Sequence, residues 1–177
     1  MADVSILSPI ILKWEGLYSN NPTDKGNYDN KGNLIGSCRG ITPATYFTAF
    51  GVWPTVEQMK NLTIEQFTYV LKKLYWNLWQ ADKIENQSIA NILVDFCWGS
   101  GGVAIKYIQQ MLVLAADGIV GNHTLEAINT YDTQEDLFNK IKDFRLNYLE
   151  KIVENNSSQS IFLKGWQNRV NSFTFEN

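Results

Sequence analysis

Two carboxylates near the N-terminus are the residues best placed to do chemistry. Glu15 and Asp24 stand nine positions apart, separated by the polar run "GLYSNNPT". Carboxylates that face each other across a cleft can protonate a glycosidic oxygen and activate water or stabilise an oxocarbenium ion. Glu15 follows Trp14 directly, with Ile11 and Leu12 one turn behind it, where an apolar first helix gives way to polar chain. A helix C-terminus carries partial negative charge and disfavours a carboxylate. Held beside apolar surface and that negative end, Glu15 is expected to keep a raised pKa, as a general acid near neutral pH requires. The plainer alternative is a solvated residue at a helix end.

Other chemistries find little support. The chain of 177 residues has one histidine, His123, in the turn "DGIVGNHT", and two cysteines, Cys38 and Cys97, in no C-x-x-C pattern. Nothing resembles a metal-ligand spacing, so neither metal nor other cofactor is expected, and two buried thiols are favoured over a disulfide. No GxGxxG or P-loop sequence occurs. Lys and Arg number 15 against 18 for Asp and Glu, a net charge of −3 with no basic stripe, which argues against a nucleic-acid partner. No apolar run is long enough to span a membrane. "MADVSILSPIILKWEG" lacks a basic start and a small-residue cleavage site, and Pro9 interrupts it. It reads as a first helix, so synthesis in the cytoplasm without a recognisable Sec signal is expected.

Helical punctuation fills the rest. Thr42-Pro43 opens "ATYFTAF" and Gly51 closes it. Thr63 and Gln66 form a capping box ahead of a long amphipathic helix to about Gln80, with Ile64, Phe67, Leu71, Leu74 and Leu78 on one face. Further helices are predicted from Ser88 to Trp98, burying Ile89, Ile92, Leu93 and Phe96, from Val103 to Leu112 and from His123 to Asn129. A long one follows Thr133 and Asp136, and a last runs from Ile161 to Val170. Residues 20–41, rich in Asn, Gly, Asp and Ser, read as an irregular or β-hairpin excursion turning at Lys31-Gly32-Asn33. The fold class is mainly α, one domain with a catalytic part over 1–100 and a second helical part over 101–177.

"EGLYSNNPTDKG" resembles the signature of glycoside hydrolase family 108, bacterial and phage N-acetylmuramidases related to the lysozyme superfamily. Glu15, Gly16, Tyr18, Pro22, Asp24 and Gly26 match its pattern, as do Gly40, Ile41 and Thr42 later. "YWNLWQADKIENQSIANILVDFCWGSG" is similar to the family's central segment. "IQQMLVLAADGIVGNHTLEAI" resembles its peptidoglycan-binding-type segment, with Asp117, Gly118, Gly121 and Thr124 at the core, and "DFRLNYLEKI" and "FLKGWQNRV" resemble its closing helices. The chain departs from the pattern at Leu17, Asn21 and Gly99, and carries an insertion between Asp24 and Gly40.

The resemblance implies a lysozyme-like fold and hydrolysis of the β-1,4 bond between N-acetylmuramic acid and N-acetylglucosamine. Glu15 would be the proton donor. Asp24 would stabilise charge or activate water, and Ser37, where the family has threonine, could position that water. Tyr18 and Trp98 are candidates to line a glycan groove, whereas Trp76, Trp79 and Trp166 sit at apolar helical positions and read as core. Asp117, Gly118 and Thr124 are candidate wall contacts, although with Gly121 they also read as a helix-connecting turn; Asp95 reads as structural. The implied partner is the peptidoglycan glycan strand, with a holin or secretion system for export and action in the periplasm or at the cell wall. Two rivals remain at this point: a lytic transglycosylase using Glu15 alone, and a non-catalytic wall-binding secretion accessory.

Overall fold

A computed structural model describes residues 1–176. The chain divides into two compact units, Val4–Trp76 and the chain from Asn77 onward joined by Met1–Asp3.

The first unit is built on α1 (Val4–Leu12), α2 (Pro43–Phe50), α3 (Val56–Lys60) and α4 (Ile64–Leu71). Its core is apolar: Leu7 and Ile11 of α1, Ile41, Met59, Phe67, Val70 and Leu71 are all buried. α1 packs on α4, where Ser8 and Thr68 share a hydroxyl hydrogen bond of 2.6 Å. α2 starts as its sequence predicts, with Thr42 accepting from the Thr45 amide, and stops at Gly51 in the left-handed conformation (φ 78°) that favours glycine. α3 carries a capping box of its own, Thr55 with Gln58. The Thr63–Gln66 box opens α4, but the regular helix ends at Leu71. Residues Lys72–Trp76 continue as a wider π-type turn and Asn77–Trp79 as a tighter one. The single long helix to Gln80 is therefore replaced by three segments, and Ile64 and Leu78, predicted on its apolar face, are exposed.

The excursion predicted for residues 20–41 is corrected. No β-strand, sheet or hairpin occurs among the described residues. The segment contains only isolated bridges, Ser19 with Ser37, Tyr28 with Leu34 and Cys38 with Ile41, and a single helical turn at Lys25–Asn27. Side chains account for the difference. Asp24 Oδ1 accepts from Gly26 N, Asn21 Oδ1 from Thr23 N, and Asp29 Oδ1 from Lys31 N and Asn33 N. Such local side-chain acceptors compete with a ladder for the backbone donors. All regular secondary structure among the described residues is helical.

The second unit is organised around α5 (Gln87–Ser100), in which Ser88 through Cys97 are buried on every side, as befits a central helix. α6 (Val103–Met111) and α8 (Gln134–Asn155) pack on it; α9 (Ser160–Asn171) packs on α8, and α7 (Asn122–Asn129) completes the set. Thr133 caps α8 in an unexpected manner, its hydroxyl donating to Asp136 Oδ2 at 2.5 Å while no side-chain bond reaches the backbone. Asp95 lies wholly buried and is held by two arginines: Arg145 Nη2 at 2.7 Å on Oδ2 and Arg169 Nη2 at 2.7 Å on Oδ1. Arg145 also donates to the Ile92 carbonyl and lies over the rings of Phe96 and Phe173. Trp79 donates its indole N–H to Cys97 Sγ at 3.0 Å, and burial pushes that thiol up to about 11. Both cysteines are free and buried. Trp76 and Trp79 are core, but Trp166 is only half-buried and stacks on Phe162.

Candidate active site and wall-binding clefts

α1 ends at Leu12, and the Trp14 amide closes a turn onto the Ile11 carbonyl (2.9 Å). Glu15 therefore belongs to the turn after the helix and is half-buried. Ile11 is buried beneath this turn, whereas Trp14 is 39% exposed and is not the closed apolar wall its position suggested. One residue on, the Gly16 carbonyl accepts from Arg39 N at 2.9 Å.

The loop that leaves Glu15 returns to it. Ser19 and Ser37 exchange both main-chain hydrogen bonds, each 2.8 Å. Tyr18 locks the return: its hydroxyl donates to the Ile35 carbonyl at 2.8 Å, and its ring lies against Gly36. A Cβ on Gly36 would come within 2.6 Å of that ring, and its φ of 90° already demands glycine. Lys60 Nζ sits 5.6 Å from the Tyr18 ring centroid. The inserted residues thus form a closed loop that leaves Ser37 beside the chain running from Glu15. The Ser37 side chain is half-buried, and its hydroxyl makes no hydrogen bond to the described residues.

Asp24 is exposed and caps the helical turn Lys25–Asn27 through Oδ1 (2.9 Å from Gly26 N). That turn packs on α2 near Thr42. Asp24 Oδ2 makes no hydrogen bond to the described residues.

Trp98 stands near the end of α5 in the other unit, half-buried. Asp117, Gly118 and Thr124 are brought together by a residue the sequence did not single out, the buried Gln109. Its Nε2 donates to Asp117 Oδ1 (2.8 Å), the Ile119 carbonyl (3.0 Å) and Thr124 Oγ1 (3.3 Å), while its Oε1 accepts from Gly118 N (2.8 Å). The Ile119 amide and Gln109 together hold the Asp117 carboxyl below the usual carboxylate range. Thr124 is buried, and Gly121 caps α7 without a side-chain bond. Beside this network opens a cleft of about 580 Å³ lined by Asp117, Ile119, Thr124, His123, Glu126 and Thr130 among others, within the size range of ligand pockets.

Arg39 and Asn27 also escaped the sequence reading. Arg39 adopts φ 53° and donates from Nε to the Leu62 carbonyl at 3.3 Å. Asn27 is buried, and its carbonyl accepts from both Ile35 N and Gly36 N at 2.9 Å. The Arg39-Gly40 pair was the available signal for the first, since a glycine beside a polar residue often marks a turn.

The first unit thus carries a half-buried carboxylate just past its first helix, and the second carries a partly polar cleft. The family model described as glycosyl hydrolase 108 matches residues 8–101, and that described as a predicted peptidoglycan domain matches residues 103–171. The chain belongs to glycosyl hydrolase family 108 and is a glycosidase of the peptidoglycan-acting, muramidase type. Among solved structures it is similar to SagA of Brucella abortus, at 28% identity and a TM-score of 0.75 over 95% of this chain and 89% of that one. No curated protein matches the sequence.

Proposed function

We propose that Glu15 protonates the glycosidic oxygen of the β-1,4 bond between N-acetylmuramic acid and N-acetylglucosamine. Asp24 then acts on the developing positive charge or on the attacking water, and Ser37 holds that water. The observation that carries this reading is the Ser19–Ser37 bridge, which returns the far end of the inserted loop to the chain leaving Glu15 with the Ser37 hydroxyl uncommitted. Asp24 Oδ2 is likewise uncommitted and solvent-facing. Tyr18 offers a ring edge to the same glycan strand, and in the second unit Trp98 offers an aromatic face of its own to glycan. In the second unit the cleft beside Asp117, Gly118 and Thr124 takes the wall polymer.

A second reading has one observation in its favour. Asp24 Oδ1 is spent on capping its own turn, which suits a lytic transglycosylase in which Glu15 works alone. The products separate the two: hydrolysis adds water across the bond, and a transglycosylase leaves a 1,6-anhydro end lighter by one water. Digestion of purified peptidoglycan followed by mass spectrometry therefore tests the proposal. Hydrated muropeptide ends support it, and anhydro ends overturn it in favour of the second reading.

No helix among the described residues is long and apolar enough to cross a membrane. We place the site of action at the wall or in the periplasm, reached with the help of a holin or a secretion system.

A further inference from the structure

α8 presents a second groove, separate from the cleft beside Gln109. It measures about 550 Å³ and is lined by Tyr107 of α6 and by Phe144, Asn147, Tyr148, Lys151, Ile152 and Asn155 of α8. The α8 residues recur at the three- and four-residue spacings that put side chains on one helix face. Its wall is aromatic: the Tyr107 and Tyr148 rings lie 5.3 Å apart, the Tyr107 and Phe144 rings 6.0 Å, and Phe96 meets the Tyr148 ring edge-on at 5.3 Å.

The polar groups along this wall are unspent. Neither the Tyr107 nor the Tyr148 hydroxyl bonds to the described residues, although both residues are half-buried. Both hydroxyls are therefore open to a ligand placed in the groove. Lys151 has no ion pair among the described residues, and the neighbouring acid on α8, Glu150, is engaged by Gln167 of α9 at 3.5 Å. The Asn147 amide is uncommitted, and Asn155 spends only its Nδ2, on the Lys151 carbonyl (2.8 Å).

A cation, carboxamides that can both donate and accept, two phenol hydroxyls and an aromatic floor together suit one chemistry. The cation suits a carboxylate, the amides suit peptide groups, and the floor suits small aliphatic side chains. A neutral sugar polymer would leave Lys151 without use. We propose that the α8 groove binds the carboxylate-bearing stem peptide of peptidoglycan, with Lys151 on the carboxylate and Asn147 and the tyrosine hydroxyls on the peptide amides. This rests on the peptidoglycan reading above and adds the peptide portion of the substrate to it.

The test titrates the wild-type full chain calorimetrically with a synthetic stem pentapeptide bearing free carboxylates, with its fully amidated form, and with chitotetraose. Turbidity clearing of peptidoglycan is measured on the same preparation. Saturable binding of the free-carboxylate peptide is expected, weakened about tenfold or more by amidation and by Lys151→Met, restored largely by Lys151→Arg, and weakened several-fold by Tyr148→Phe. Lys151 is exposed, and circular dichroism verifies that its variants fold. Absence of peptide binding, equal binding of the amidated form, or chitotetraose binding that depends on Lys151 would each overturn the proposal. Clearing without peptide binding sinks the groove alone, whereas peptide binding without clearing sinks the catalytic reading alone.

Discussion

Ser19 and Ser37 are paired through two main-chain hydrogen bonds of 2.8 Å, which close a loop of inserted residues against the chain that carries Glu15. Closure has a consequence for the order in which substitutions should hurt. Glu15 precedes the loop, Ser37 is brought back by it, and Asp24 lies out on a turn that packs near Thr42. Glu15→Gln should lower peptidoglycan clearing by about 10²–10⁴-fold, the range of a lost general acid. Asp24→Asn should cost less, and Ser37→Ala less again. Turbidity assays with the three variants check this order. Equal activity in Glu15→Gln would remove the mechanism.

Tyr18 and Gly36 are a matched pair, since the ring fills the space where a Cβ on Gly36 would fall. Gly36→Ala combines that clash with a φ of 90°, so a cost of about 1–3 kcal/mol is expected. Tyr18→Phe removes only the bond to the Ile35 carbonyl, at about 1 kcal/mol. For a chain of this length each kcal/mol should move the melting temperature by about 2–4 °C. Combining Gly36→Ala with Tyr18→Ala should recover part of the loss, because the clash goes with the ring. Thermal denaturation of the single and double variants measures the coupling.

What the sequence made legible follows from how local each signal is. Thr42-Pro43 and Gly51 bound α2 as read, and the Thr63–Gln66 box opens α4, because a cap depends on residues within one turn. The regular helix beyond Leu71 failed as a prediction, since the apolar spacing continues to Leu78 while the backbone widens and then tightens. Periodicity counts side chains and is blind to that change of pitch. The hairpin at 20–41 failed for the opposite reason. Lys31-Gly32-Asn33 reads as the turn between two ladder strands, but Asp24 and Asp29 take the backbone amides themselves.

The sequence singles out the two candidate carboxylates but gives no sign of the residues that brace the turns around the candidate sites. Glu15 announces itself by standing out of place after an apolar run, and Asp24 by its spacing. Gln109 gave no such sign, because one glutamine in "YIQQML" looks like the next until the fold buries it against Gly118 and Thr124. Asp95 was legible as structural only through its place in an apolar helix. That two arginines 50 and 74 residues away would claim its two oxygens is a tertiary fact.

Acid should weaken two of these turns in a defined direction. The Asn33 side chain and amide hold Asp29 below its ordinary 3.8, and the Ile119 amide and Gln109 do the same for Asp117. A carboxyl whose folded pKa is depressed contributes stability that is present above the unfolded value and lost as pH falls through the folded one. Both contributions should therefore be complete only above about pH 5 and be lost progressively as pH falls through 3.8 and then through the lower folded values. Urea denaturation of wild type, Asp29→Asn and Asp117→Asn between pH 2 and pH 6 checks the sign. The variants should show a shallower acid decline, and a steeper one would contradict the assignment.

The Asp95 carboxylate is the harshest position to disturb. It has no exposed surface, and its oxygens are divided between Arg145 and Arg169 at 2.7 Å each. Burial pulls the Arg145 guanidinium below its ordinary pKa, and Asp95 opposes that pull. Removing one partner of a buried pair leaves the other charge uncompensated, at about 3–5 kcal/mol. Asp95→Asn should cost that much, because it strands two cations around a neutral amide. Arg169→Gln should cost less, since Arg169 is partly solvated and Arg145 still neutralises the carboxylate. Arg145→Met, which replaces the cation with an apolar chain between Phe96 and Phe173, leaves Asp95 to Arg169 alone and should fall between the two. Chemical denaturation of the three variants ranks them. Were Asp95→Asn the mildest, the ion cluster would not be what joins α5, α8 and α9.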